Sequence, residues 1–137
     1  MKWTEEHATG VPVVDDQHRA LFAFSEELRD VLENDAGEKT YDLSLDFLKT
    51  YAEVHFGIEE KCMLAHLCPV AGRNRKEHGA FTRMIAEEEA LFRSQGFDRQ
   101  RALELTDRID QWLDSHIRRI DTQLRDVVTD GDVASRS

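Results

Sequence analysis

Apolar side chains recur every three or four residues in four long segments of this 137-residue chain, and this period constrains the fold more than any other feature. Such a repeat gives a helix one apolar face, which must be buried against other helices. The pattern predicts helices over residues 16–33, 40–65, 74–94 and 98–127. The connections are short, so consecutive helices should be antiparallel neighbours. We therefore expect an all-α fold, an antiparallel up-down-up-down four-helix bundle.

The two ends of the chain differ from this pattern. Residues 1–14 read as an irregular arm, interrupted by Gly10 and Pro12. Residues 128–137 have almost nothing to bury, which predicts a disordered C-terminal tail. We expect one bundle domain over residues 1–127 with the tail after it.

Composition excludes several classes of protein. Lys and Arg number 18 against 28 Asp and Glu, for a formal net charge of −10. Binding to nucleic acid or to an anionic membrane needs clustered positive charge, so we expect neither. The chain has no apolar run near the roughly 20 residues that span a bilayer and no secretory leader at its start. We expect a cytoplasmic protein, and no protein partner can be named from the sequence.

Six polar residues stand on the apolar stripes, where Leu or Ile would otherwise pack. A buried charge or unpaired imidazole costs several kcal/mol unless another group satisfies it. One such residue is usually a core histidine with a hydrogen-bond partner in the protein. Six such residues, drawn from all four helices, indicate a shared ligand. They are His18, His55, Glu59, His78, His116 and Asp121.

The spacing of these residues favours a metal site. His55 and Glu59 are four residues apart, so both can reach one point. Histidine and carboxylate at helical spacing, repeated inside a bundle, are typical of a site for two metal ions. Such ligands suit iron, manganese or zinc. His116 and Asp121 are five apart, so we expect either a π-type turn near residues 117–120 or a carboxylate that reaches across the core.

The chain resembles the hemerythrin family, and specifically its bacteriohemerythrin branch, from about Trp3 to Leu124. The motifs that carry the resemblance are Trp3 and Gly10-Val11 in the arm, then residues 14–18, residues 55–60 with Met63, residues 77–81 and residues 112–121. The resemblance implies two non-haem iron ions with an oxo or hydroxo bridge, held by five histidines, one glutamate and one aspartate. It also implies O₂ as the ligand, bound at the iron that has fewer histidines.

The family's ligands can be transferred to this chain by motif. The resemblance implies that one iron takes His18 and His55, and that the other takes His78 and His116. Glu59 and Asp121 would bridge the pair. Apolar residues near these ligands would form a dry O₂ pocket, although plain core packing explains each of them equally well. These pocket residues are Phe22, Phe56, Met63, Phe81, Leu113 and Ile117. Gln17 and Glu77 flank ligands and are either hydrogen-bond partners of the imidazoles or ordinary helix-surface residues.

The fifth histidine of the family is missing. The third-helix motif places it four residues before His78, where this chain has Asn74. An amide oxygen is a poorer donor than imidazole for ferrous iron, although it can coordinate or hold a water. We consider three outcomes. Asn74 or a water fills the position, or one iron binds so weakly that a single metal remains, or Asn74 has no metal role and another group replaces it.

Three functions remain open at this point. The first is a diiron protein that binds O₂ for storage, delivery or sensing, and is not an enzyme. The second is a metal protein, with one or two metals, that reduces peroxide or oxidises ferrous iron, because the opened position would admit peroxide or small anions. The third is a metal-free helical interaction module.

The remaining histidines and the cysteines have plain structural interpretations. His66 should be a partly exposed residue at a helix end, and His7 in the arm should be structural or exposed. Cys62 and Cys68 are six apart, beyond disulfide reach in a continuous helix. Cys62 fits a core position, whereas we expect Cys68 to be more exposed.

Overall fold

The structure, a computed structural model, describes residues 2–34 and 37–128. It contains four long helices and two short 3₁₀ helices, and it has no strand within the described residues. The long helices are α1 (Pro12–Glu33), α2 (Glu38–Ala65), α3 (Ala71–Gln95) and α4 (Arg99–Arg119), and the 3₁₀ helices are Glu5–His7 and Asp121–Asp126. The predicted all-α class is confirmed.

Side-chain pairs between neighbouring helices define the topology. Along α2 and α3, the paired positions ascend in one helix and descend in the other, as antiparallel packing requires. These pairs are Asp42 with Arg93 at 2.7 Å, Lys49 with Glu89 at 2.8 Å and Glu60 with His78 at 3.0 Å. Helices α1 and α4 are also antiparallel. Arg29 lies 2.6 Å from Asp107, whereas His18, earlier in α1, lies 3.2 Å from Asp121, just after α4. The up-down-up-down bundle is confirmed.

Two helices begin at least three residues earlier than the apolar pattern indicates. Helix α1 begins at Pro12, whereas the pattern placed its start near residue 16. Proline fits the first helical turn because its missing N–H would have no partner there. Helix α3 begins at Ala71, and the backbone N–H of Asn74 donates to the carbonyl of Val70 at 2.8 Å. The predicted arm of residues 1–14 is therefore too long by about three residues.

The end of α4 corrects another prediction. The helix ends at Arg119, not near residue 127, and Asp121 opens the 3₁₀ helix. Ile120 stands between them with φ −111° and ψ −61°, which breaks the regular helical path. Of the two arrangements expected for Asp121, the π-type turn near residues 117–120 does not form. The break lets Asp121 point inward, and its side chain is buried.

The apolar core has two parts, with the polar stripe residues between them along the helices. The larger cluster includes Phe22, Phe56 and Ile117, and the smaller includes Val14 and Met63. Val128, where the tail was expected to begin, packs against the smaller cluster. The rest of the expected tail, residues 129–137, lies outside the described residues.

Candidate metal centre

The six polar residues of the apolar stripes meet at one place inside the bundle. Each is at most 3% exposed to solvent. Helix α1 supplies His18, α2 supplies His55 and Glu59, and α3 supplies His78. Helix α4 supplies His116, and Asp121 comes from the 3₁₀ helix after it. The bundle geometry thus brings together every residue of the predicted ligand set.

Glu59 joins the two halves of this cluster. Its Oε2 lies 3.0 Å from Nε2 of His18 and 3.5 Å from Nε2 of His55. Its Oε1 lies 2.8 Å from Nε2 of His78 and 3.8 Å from Nε2 of His116. Each carboxylate oxygen therefore faces a different histidine pair.

Asp121 repeats this arrangement. Its Oδ2 lies 3.2 Å from Nε2 of His18, and its Oδ1 lies 3.1 Å from Nε2 of His116. Oδ2 is buried without a well-formed hydrogen bond among the described residues. A buried carboxylate oxygen without a donor is costly, and a cation between the histidine pairs would satisfy it.

The donor atoms are close enough to share metal ions. One ligand atom from each of Glu59, His78, His116 and Asp121 lies within 4.8 Å of the others, and the same holds for His18, His55 and Glu59. Imidazole nitrogens with carboxylate oxygens suit iron, manganese or zinc, whereas calcium and magnesium prefer oxygen alone. The residues present therefore fit a buried metal site.

Three of the four imidazoles are held by a second hydrogen bond on Nδ1. His55 donates to Oε1 of Gln17 at 2.6 Å, and His116 donates to Oε1 of Glu77 at 2.8 Å. Such partners fix the ring so that Nε2 faces the metal position. Gln17 and Glu77 thus contact the imidazoles, whereas the sequence favoured ordinary helix-surface positions for both.

The partner of His78 was missed by the sequence analysis. Nδ1 of His78 donates to Oε2 of Glu60 at 3.0 Å. The signal that could have found Glu60 is its place directly after Glu59. Glu60 projects from α2 about 100° around the helix from Glu59, so it can contact the outer edge of a histidine on α3. The fourth imidazole differs, because Nδ1 of His18 is buried without a hydrogen-bond partner among the described residues.

Asn74 lies inside the cluster, and its side chain is fully buried. Its amide oxygen is 2.9 Å from Nε2 of His116. With the amide turned so that its nitrogen faces inward, Asn74 donates to Oε1 of Glu59 at 3.0 Å and to Oδ1 of Asp121 at 3.2 Å. The amide therefore occupies the side of the cluster formed by His78 and His116, where the missing histidine was expected.

The two carboxylates control the protonation of the cluster. Burial lowers the pKa of His18, but Asp121 and Glu59 beside it outweigh this effect and raise that pKa to about 9. The same balance raises the pKa of His116 to about 10. Burial dominates at His55, whose pKa is lowered. Burial raises the pKa of Glu59, yet its imidazole neighbours hold it well below the usual range. The metal-free cluster thus contains protons that a bound cation would displace.

The six expected pocket residues are all buried, but they do not form one group. Five belong to the larger apolar cluster, and Met63 belongs to the smaller cluster on the other side of the polar residues. The ring of Phe56 stacks on His78 with centroids 3.8 Å apart. Trp112 stacks on His116 at 4.4 Å, a contact that the sequence analysis did not identify. Aromatic rings therefore cover the imidazoles of α3 and α4.

The remaining predictions concern residues outside the cluster. His7 is buried and structural, since its ring packs 5.1 Å from Phe22. His66 is partly exposed at the end of α2, as expected. Cys62 and Cys68 do not form a disulfide with each other. Cys68 is buried, so the expectation of a more exposed thiol is wrong.

A four-helix bundle with histidines and shared carboxylates at its centre defines a class of metal-binding protein. Residues 9–127 match the family described as the hemerythrin HHE cation binding domain. The chain therefore belongs to the hemerythrin family, and the resemblance drawn from its motifs is confirmed. Two bacteriohemerythrins are similar to it. The protein of Clostridium acetobutylicum is 27% identical over 119 residues, which cover 84% of this chain and 91% of that relative.

The second relative and the solved structures agree with this assignment. The Stenotrophomonas maltophilia bacteriohemerythrin is 27% identical over 126 residues, or 92% of this chain and 80% of the relative. A crystal structure of wild-type hemerythrin superposes with a TM-score of 0.81 at 25% identity, covering 93% of this chain and 96% of that one. In the part of the chain that the structure describes, no helix is long and apolar enough to cross a membrane.

Proposed function

We propose that this chain is a non-haem diiron protein that binds O₂. The observation that carries the proposal is the arrangement of Glu59 and Asp121, each of which turns one oxygen toward His18 and the other toward His116. Two buried carboxylates that each face both halves of a cluster suit a pair of cations better than one. We assign His18 and His55 to one iron and His78 and His116 to the other, with Glu59 and Asp121 as bridges. Asn74 is the candidate for a further, weaker ligand of the second iron.

The iron pair, when bound, supplies reversible O₂ binding by electron transfer. The chain's own residues keep the site dry and rigid. Phe56 and Trp112 cover His78 and His116, while Leu113 and Ile117 are buried in the larger apolar cluster beside them. Exclusion of water slows the loss of electrons from a ferrous site. The hydrogen bonds that three imidazoles donate to Gln17, Glu60 and Glu77 hold their rings in orientation.

A second candidate function follows from Asn74. An amide in place of an imidazole leaves the site of His78 and His116 with a poorer donor set. A metal with a weakly held coordination position can take up another small molecule there. This suits the site to repeated reaction with peroxide or ferrous iron. We keep peroxide reduction and ferroxidase activity as the alternative, with one or two metals bound.

Metal content and the visible spectrum test these proposals together. The protein is expressed with iron and analysed for metal per chain, then reduced, exposed to air and reduced again. Two irons per chain, with a charge-transfer band that disappears on reduction and returns in air, support the O₂-binding proposal. Multiple turnovers with peroxide in place of this cycle support the alternative. A folded protein that takes up no metal, and whose stability is unchanged by a chelator, would support the metal-free interaction module instead.

A further inference from the structure

A groove lies between α2 and α3, beside the polar cluster, and has a volume of about 670 Å³. This volume falls within the roughly 300–1,000 Å³ that sites for small organic molecules occupy. One wall of the groove reaches the ring of His78. The buried part of its lining is mostly apolar, and the apolar side chains there are Leu48, Ala52, Phe56, Phe81 and Ile85.

Two glycines keep this groove open. Gly57 on α2 and Gly79 on α3 both line it. A Cβ added to Gly57 would meet no neighbouring atom within 4 Å, and one added to Gly79 would meet only Nη1 of Arg83, at 3.9 Å. Glycine inside a helix is less favourable than alanine by about 1 kcal/mol. Larger residues would therefore fit at both positions and favour the helices, but they would occupy the groove.

The aromatic part of the lining is suited to a flat ring. The ring of Phe56 stacks on His78 with centroids 3.8 Å apart, and it meets Phe81 edge to face at 5.7 Å. Aromatic rings pair favourably in offset-stacked and edge-to-face arrangements. A ring bound in the groove can extend this set of contacts, and it would then lie one ring away from His78.

The groove adjoins a positively charged surface on the outer side of α3. Arg75 and Gly79 line both the groove and a second, more open cavity. Within the part of the chain that the structure describes, Arg75 has a contact of 3.8 Å with Glu60, and the other cations of the second cavity form no ion pair. These other cations are Arg73, Lys76 and Arg83. Four cations around one cavity contrast with the formal net charge of −10 of the whole chain.

We propose that the groove between α2 and α3 binds a small aromatic molecule that carries a phosphate group. The ring lies against Phe56 and Phe81, and the phosphate lies near Gly79 among the four cations. A phosphate monoester carries close to two negative charges at pH 7, so a group of cations favours it over a carboxylate. Arginine side chains also match the geometry of phosphate oxygens. The proposal does not depend on which metal the polar cluster holds.

Isothermal titration calorimetry of the full chain tests this proposal with three probes, 1-naphthyl phosphate, 1-naphthol and inorganic phosphate. We expect one molecule of 1-naphthyl phosphate to bind per chain, at least about tenfold more tightly than either of the other two. Added NaCl should weaken the binding of 1-naphthyl phosphate, because salt screens its charge, and should have little effect on 1-naphthol.

A substitution that fills the groove tests the location of the site. Gly57→Leu should abolish binding of 1-naphthyl phosphate, and should leave the melting temperature equal or higher because leucine favours a helix over glycine. Loss of binding in this variant would therefore not come from unfolding. Ala90 is exposed on α3 and lines neither cavity, so Ala90→Leu is the control and should bind like the parent.

A change of charge tests the role of the cations. Lys76→Gln combined with Arg83→Gln should weaken binding of 1-naphthyl phosphate by about tenfold or more and leave that of 1-naphthol unchanged. Lys39 and Lys61 are exposed on α2, so changing both to glutamine removes the same charge elsewhere and should have little effect.

Four outcomes overturn the proposal. The parent shows no saturable binding of 1-naphthyl phosphate, or it binds inorganic phosphate as tightly. Gly57→Leu retains binding, as it would if the phosphate bound to a metal ion in the polar cluster instead. The double variant of Lys76 and Arg83 binds like its control.

Discussion

The side-chain amide of Asn74 lies 2.9 Å from Nε2 of His116, in a position with no access to solvent. The amide is in direct contact with an imidazole that we assign to iron. We therefore expect this pair to affect how strongly the site on the α3 and α4 side holds its metal.

Replacing Asn74 with histidine should strengthen metal binding. An imidazole is a better donor to ferrous iron than an amide oxygen, so Asn74→His should raise the iron content toward two per chain and lengthen the life of the oxygenated form. Metal analysis and the decay of the visible band measure both effects, and circular dichroism checks that the larger ring is accommodated. Gln111→His, at an exposed position on α4, controls for an added histidine. Parent-like behaviour of Asn74→His would show that the account of the missing ligand is wrong.

Removing the charge of Glu59 should affect both halves of the site. Glu59 contacts Nε2 of His18 and of His78 through different oxygens, so Glu59→Gln should abolish uptake of both ions. Glu60→Gln should have a smaller effect than Glu59→Gln, because Glu60 only orients His78 through Nδ1. That change should weaken metal binding by about 10–100-fold. Titration with ferrous iron under anaerobic conditions measures both, and equal effects of the two variants would contradict the proposed roles.

Metal binding should release protons near neutral pH. The pKa values of His18 and His116 are raised to about 9 and about 10 in the metal-free cluster, so both rings are protonated at pH 7. Coordination requires the free ring nitrogen, and uptake of metal should therefore release about two protons per chain. Calorimetry in buffers of different ionisation enthalpy counts these protons. Binding should weaken as pH falls, and an affinity independent of pH between 6 and 8 would contradict this.

The same pKa shifts set the stability of the metal-free protein. A raised pKa contributes stability that is fully present below the unfolded value of about 6.5 and is lost as pH rises through the folded value. Protein treated with a chelator should therefore become less stable as pH rises from about 6.5 to about 10, the interval between the unfolded value and the folded pKa values of His18 and His116. Thermal unfolding measures the change, and the metal-loaded protein, whose rings are not protonated, should not lose stability for this reason.

His7 should attach the N-terminal arm to α4. The backbone N–H of Thr4 donates to Nδ1 of His7 at 2.9 Å, so Nε2 carries the proton and donates to Oδ1 of Asp114 at 2.8 Å. His7→Ala removes a buried ring and this hydrogen bond, and should lower the free energy of unfolding by about 2–3 kcal/mol. Asp114→Asn keeps an oxygen acceptor and should cost about 1 kcal/mol. Denaturant unfolding measures both, and a His7→Ala protein that loses its iron instead of its stability would contradict a structural role.

The acidic partner of His7 gives a further expectation at low pH. Burial raises the pKa of Asp114, but Arg118 and His7 outweigh it and lower that pKa below its usual value. A lowered carboxyl pKa contributes stability above the unfolded value, and this is lost as pH falls through the folded value. The parent should therefore lose more stability than Asp114→Asn when acidified below about pH 4. Denaturant unfolding at a series of acidic pH values measures the difference, and parallel losses in both proteins would contradict the contact.

Local patterns were enough to predict much of this protein. The period of the apolar residues predicted four antiparallel helices, because a helix with one apolar face has few ways to bury it. The four-residue spacing of His55 and Glu59 placed them together on one face of α2, since that relation lies within a single helix. The boundaries were less exact. Pro12 indicated an interruption, although proline fits the first helical turn, and α3 extends three residues before Asn74, where the apolar pattern gave no signal.

Relationships between helices required the tertiary structure. The spacing of His116 and Asp121 allowed a π-type turn, but α4 ends at Arg119, and Asp121 turns inward so that its oxygens face His18 and His116. Glu60 was missed because it contacts a histidine of another helix. Trp112 and His116 are four residues apart on α4, so their contact could have been predicted from the spacing. The sequence by itself determined which residues could form a polar cluster in the bundle. Only the tertiary structure decided that Asn74 faces that cluster and that each carboxylate reaches both halves, because these distances depend on how separate helices pack.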